Sequence, residues 1–247
     1  ENNFATNGGG IIVETAGLLS LDNVVFNNNS GFNAALYTHS ASCEINNSEI
    51  TNNQGTFQIR SNGGLSMNNT LVSGNESGNG IYHLGTSILT LNNMTIADNS
   101  LSGVVLEASS NAQVAITNSI IYNNDYTQIR NEDGSGIPTY TISYSDIQDG
   151  ESAIMGDGLI NWNEGNIDAD PRFVDSDNGN YHLLADSPCI NSGDPEFELD
   201  PDGTTADMGA TYYHNEYTGP DWHVDQVAGN DTTGTGASGS SFASISA

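Results

Sequence analysis

The 247-residue chain has no lysine and only three arginines, Arg60, Arg130 and Arg172. Against them stand 31 acidic residues, a formal net charge of −28. A field of that sign repels nucleic acid and anionic membrane surfaces, and no nucleic-acid partner is expected. It suits a solvated extracellular setting, one of high salt, or one rich in divalent cations. Helical periodicity is also missing, since no stretch repeats apolar residues at i, i+3 and i+4. No apolar run approaches the roughly 18 residues of a membrane span. Neither an initiator Met nor a signal sequence opens the chain. Glu1-Asn2-Asn3 resembles the polar corners at Asn27-Asn28 and Asn52-Asn53, so the chain is expected to open in mid-coil as a piece of something longer.

What the chain does have is one line written six times. Its clearest copy is Ile88-Leu89-Thr90-Leu91-Asn92-Asn93-Met94-Thr95-Ile96-Ala97-Asp98-Asn99. Equivalents of Asn93 are Asn23, Asn47, Asn69, Asn118 and, in a drifted copy, Tyr144, at spacings of 24, 22, 24, 25 and 26 residues. Two positions earlier stand Leu21, Ile45, Met67, Leu91, Ile116 and Ile142. Three positions later stand Phe26, Ile50, Val72, Ile96, Ile121 and Ile147. A looser third column reads Val13, Leu36, Ile59, Leu84, Leu106 and Ile129.

Repeats of this length indicate a solenoid, propeller or tandem array. Each copy holds three short alternating runs, and alternate side chains share one face of a strand. Three runs per copy make a three-sided coil of about 22–26 residues. Stacking coils at the strand spacing of ~4.8 Å sets like residue on like residue. The expected fold is therefore all-β, a parallel β-helix whose coils cannot bury their apolar faces alone. Asn suits the corner because it tolerates left-handed backbone, and stacked Asn amides can bond from coil to coil. Four of six Asn-x-Ser/Thr sequons, at Asn28, Asn46, Asn68 and Asn93, fall in these corners, which favours a structural over a glycosylated role. Cys43 and Cys189 would lie roughly 20 Å or more apart in a simple stack, beyond the Cα separation of about 7 Å that a disulfide spans, so both are expected to be free and buried.

Residues 1–150 form the regular repeat, and after Gly150 it decays. The stretches Asp168-Ala169-Asp170-Pro171-Arg172-Phe173-Val174, Tyr181-His182-Leu183-Leu184, Ser187-Pro188-Cys189-Ile190-Asn191-Ser192-Gly193 and Asp200-Pro201-Asp202-Gly203-Thr204-Thr205-Ala206-Asp207-Met208-Gly209-Ala210 then follow. Together they closely resemble the C-terminal coils of secreted bacterial right-handed parallel β-helix proteins of the pectate-lyase-like superfamily. The resemblance covers residues 18–210. It implies a right-handed solenoid that residues 151–219 finish and cap. Residues 220–247 resemble the opening of a further β-helix domain, with Ser241 and Ser244 where proline and threonine usually stand. They are expected to be a linker or strand-donating tail.

That superfamily includes lyases with Ca²⁺-binding carboxylate clusters and hydrolases with close Asp pairs. Here Arg60 and Arg130 each follow a first-strand isoleucine and are expected to point outward on one face, but no Asp cluster joins them. Ser, Thr and Asn are expected at the outward ladder positions, with no line of aromatic and acidic residues. No catalytic residue is therefore assigned and no enzyme is expected. The five histidines share no metal spacing. The best candidate metal ligands are Asp200, Asp202 and Asp207, whose alternation with Gly offers hard oxygens to Ca²⁺; an Asx-rich turn is the competing reading. The expected role is a non-catalytic extracellular structural protein, one subunit or repeat of a surface filament, stalk or adhesin. Its partners would be copies of itself, head to tail. The alternative is a polysaccharide-binding or polysaccharide-degrading β-helix protein.

Overall fold

Alternation makes each side of a coil a strand, and Asn or Gly ends it. In the computed structural model, which describes residues 2–5, 9–84, 87–107, 112–132 and 136–214, the strands stack in parallel in sequence order. The first face holds β1 (Ile11–Val13), β4 (Asn33–Thr38), β7 (Phe57–Ser61), β9 (Asn79–Leu84), β11 (Ser102–Glu107), β14 (Thr127–Asn131) and β17 (Ile154–Met155). The second holds β2 (Leu18–Asp22), β5 (Ser42–Asn46), β8 (Leu65–Ser73), β10 (Ile88–Ala97), β12 (Gln113–Thr117), β15 (Thr139–Ser143) and β18 (Leu159–Trp162). The third holds β3 (Val25–Asn27), β6 (Glu49–Thr51), the later halves of β8 and β10, β13 (Ile120–Tyr122) and β16 (Asp146–Ile147). An antiparallel hairpin, β19 (Phe173–Asp175) with β20 (Asn180–Leu183), lies outside the coils. The residues expected to form a tail, 220–247, lie outside the described residues.

Two of the three apolar columns stack as the repeat predicts. Leu21, Ile45, Met67, Leu91, Ile116 and Ile142 are neighbours in order, and Trp162 extends them. Phe26, Ile50, Val72, Ile96, Ile121 and Ile147 do the same on the third face. The first-face column needs correction. It runs Ile11, Leu36, Ile59, Ile81, Val104, Ile129, Ile154. Val13 and Leu106 sit one pleat further along, beside Thr38 and His83, and Leu84 faces the opposite way beside Glu107. Loop lengths vary between faces, so an apolar residue two or three places away can imitate the true column.

The corners explain the asparagines. Asn23, Asn47, Asn69, Asn93, Asn118 and Tyr144 all have φ between 47° and 54°. A second left-handed column follows, with Asn28, Asn52, Gly74, Asp98, Asn123 and Asp149. Next to it stands the main amide ladder, six residues beyond the first corner rather than at it. Asn29, Asn53, Asn75, Asn99 and Asn124 are buried. Nδ2 of Asn53 donates to Oδ1 of Asn75 at 3.1 Å and to the Phe26 carbonyl at 2.9 Å. Asn75 repeats this with Asn99 and the Ile50 carbonyl. The Oδ1 atoms of Asn29, Asn53, Asn75 and Asn124 also accept a backbone N–H, as Asn75 does from Asn53. An aspartate lacks both donors, so the position requires the amide.

The repeat continues past Gly150. β17, β18 and Ile167, which bridges to Asp146, complete one more coil. Residues 171–213 then run back along the outer side of the third face. Gly209 N–H donates to the Asn118 carbonyl, Ala210 N–H to Thr95 Oγ1, and Tyr181 OH to Asp98 Oδ2. The segment covers Ile120, which points outward from β13. Ile120, Leu183, Cys189 and Met208 form a second small core there. Cys43 lies in the main core, and both cysteines are free and buried.

Candidate functional site

The outward residues of the first face form one column: Ile12, Tyr37, Arg60, Tyr82, Val105, Arg130 and Met155. Stacked strands bring each within about 5 Å of the next along the solenoid. The outward column of the second face, Ser20, Glu44, Ser66, Thr90, Ala115, Thr141 and Asn161, is mostly polar. The expectation of Ser, Thr and Asn outside therefore holds for the second face and fails for the first.

Aromatic rings widen this column into a strip. Phe32 and Phe57 meet edge to face at 5.3 Å, and Phe57 tilts against Tyr82 at 4.2 Å. The Arg60 guanidinium carbon lies 5.3 Å from the Tyr37 ring and 5.3 Å from the Phe57 ring. Arg130 lies over Tyr126 at 5.4 Å. Phe32 and Tyr126 remain 45% and 58% exposed, enough ring surface to receive a ligand.

An acidic edge borders the strip. Tyr82 OH is 2.5 Å from Glu107 Oε2 and 2.6 Å from Glu132 Oε2, and Arg130 pairs with Glu132. Burial first, then hydrogen bonds to the two carboxylates, push the Tyr82 hydroxyl pKa upward. Glu107, Glu132, Arg130, Tyr126 and Met155 line a depression of about 520 Å³.

Arg60 and Arg130 thus share one outward face, as their placement after Ile59 and Ile129 suggests. The aromatic line is not legible in the sequence because it depends on first-face register. Taking Ile81 in place of Leu84 would have set Tyr82 over Arg60 and Tyr37.

The proposed Ca²⁺ ligands fall in one loop of the returning segment. Asp207 is buried and accepts N–H groups of Asn191 and Tyr213. Asp200 Oδ2 accepts the Asp207 N–H at 2.9 Å. Asp202 Oδ1 accepts both the N–H and the hydroxyl of Thr204, an Asx turn. Burial, opposed by the Asp207 N–H bond and reinforced by Asp207 and Asp202, raises the Asp200 carboxyl to about 6. Among the described residues, no three His, Cys, Asp or Glu side chains gather as a metal-holding group.

A second concavity, a groove of about 700 Å³, lies where the returning segment leaves the outer side of the third face uncovered, between Glu49, Leu71, Ser73, Asp98, Tyr181 and His182.

Stacked parallel coils with left-handed asparagine corners define a β-solenoid. The family model described as "Right handed beta helix region" matches residues 1–170, and the chain belongs to that family. No curated protein matches the chain. Among the described residues no helix is long and apolar enough to cross a membrane.

Proposed function

We propose that the chain is a non-catalytic, extracellular polysaccharide-binding solenoid whose ligand lies along the outward side of the first face. The observation that carries this reading is the strip of Phe32, Tyr37, Phe57, Arg60, Tyr82, Tyr126 and Arg130. Sugar rings pack their C–H faces on aromatic rings, and a flat strip along the solenoid suits an extended chain. A non-catalytic role is supported by the acidic edge, where Glu132 is paired with Arg130 and both glutamates are tied to Tyr82.

The test is binding to a panel of immobilised polysaccharides, with Phe32→Ala and Tyr126→Ala as variants. Each ring lost should weaken binding about tenfold, the scale of a substantial interface contact. Equal binding by wild type and both variants would remove the strip from the interaction. Release of reducing ends or unsaturated sugars would overturn the non-catalytic reading.

A second reading is head-to-tail assembly as a surface filament or stalk. It is favoured by the parallel, in-register stacking of the coils, a geometry that a further coil can extend by strand addition. Sedimentation velocity at rising protein and salt concentration tests it. Growth of the particle once the −28 charge is screened supports assembly, and a monomer throughout ends that reading.

A further inference from the structure

Arg60 stands out by what it lacks. The chain has three basic residues and 31 acidic ones. Arg130 is paired with Glu132 and Arg172 with Asp186, while among the described residues Arg60 forms no salt bridge. Instead its guanidinium lies 5.3 Å from both the Tyr37 and Phe57 rings. Rings attract the cation but accept few of its hydrogen bonds. The Nε atom is buried without a hydrogen-bond partner. The rings hold a planar cation on the strip while its charge stays uncompensated by a carboxylate.

A guanidinium presented this way matches a carboxylate, which it can grip with two parallel hydrogen bonds. The surroundings set what carries that carboxylate. Phe32, still 45% exposed, and the neighbouring rings favour a sugar chain lying on the strip. The molecule's charge of −28 opposes a polymer with an acid on every residue. A mostly neutral chain meets little of that repulsion.

We propose that Arg60, cradled by Tyr37 and Phe57, anchors an isolated carboxylate on an otherwise neutral glycan, and that the face discriminates against densely charged polyuronates. This rests on the polysaccharide-binding reading and names the ligand class of the same strip.

The experiment uses an array of neutral polysaccharides, sparsely carboxylated polysaccharides in native and carboxyl-reduced forms, and polygalacturonate. Wild type, Arg60→Gln and Arg60→Lys are compared after thermal melting confirms that each is folded. Wild type should bind some native, sparsely acidic glycan at least about tenfold more tightly than its reduced form, as a charge-assisted hydrogen bond provides. Arg60→Gln should bind both forms equally, at the reduced-form level. Arg60→Lys, which keeps the charge and loses the fork, should recover only part of the preference. Equal binding of native and reduced forms by wild type overturns the anchor, as does a preference that survives in Arg60→Gln. Tight binding of polygalacturonate overturns the discrimination. If Phe32→Ala still weakens binding in those cases, the polysaccharide reading stands and only this inference falls. If no glycan binds in any form, both fall.

Discussion

Leu91 is fully buried between Met67 below and Ile116 above. Its neighbours are themselves held by coils on both sides, so the site collapses poorly when emptied. Leu91→Ala should cost about 2–5 kcal/mol in urea unfolding, as buried Leu truncations do. A loss below about 1 kcal/mol would mean that this column does not carry the stack. Asp146 is the opposite case, a fully buried carboxyl. Its Oδ1 accepts the Ala169 N–H at 3.1 Å, and Cys189 Sγ donates to its Oδ2 at 3.3 Å. Burial raises its pKa from 3.8 to about 6, with Asp168 and Asp170 adding to the rise against those hydrogen bonds. Because the folded pKa lies above the unfolded one, this contribution to stability is present below pH 3.8 and lost as pH rises through about 6. Across that window wild type should lose on the order of 3 kcal/mol relative to Asp146→Asn, which cannot titrate. Parallel stability–pH curves for the two proteins would contradict this account.

Among the elements, the returning segment 171–213 shows how an irregular stretch is positioned. Ile120 repeats a position held by Thr95 and Asp146 in adjoining coils. Being apolar and outward, it needs a cover, and Leu183, Cys189 and Met208 supply one. In the 200–207 loop of this segment burial raises the carboxyl pKa of Asp200 and Asp207, and the negative charge of Asp202 adds to both. A cation would relieve that repulsion, which is what supports the proposed weak Ca²⁺ site. Binding to the folded state raises apparent stability by mass action. Millimolar Ca²⁺ should then raise the melting temperature over that in chelator, and Asp202→Asn should shrink the rise. Identical melting in the two buffers would leave the loop as a turn that uses Asp for its own backbone.

Over the whole molecule, three positive side chains offset few of 31 negative ones. Self-repulsion of this size works against the compact state. Raising NaCl from about 0.05 to 0.5 M shortens the screening length severalfold and should raise the melting temperature by a few degrees. A fall over that range would show that short-range ion pairs outweigh the net field. The Arg130–Glu132 and Arg172–Asp186 pairs are partly exposed and contribute little to set against it.

The sequence by itself determined the coil, its period and two of its three inner columns, because each coil must present the same residue type to the coil beside it. It determined the corners as well: φ near 50° favours Asn, and even Tyr144 was placed correctly by spacing alone. Tertiary structure alone decided the first-face register, since apolar residues stand on both sides of β9 and β11 and the loops before them differ in length. With that register hidden, so was the aromatic strip, whose members share no periodic motif and meet only across coils. The return of residues 171–213 was equally hidden. Contacts such as Ala210 with Thr95 span 115 residues and arise from one outward-pointing isoleucine and a few polar groups, which leave no repeat in the chain to read.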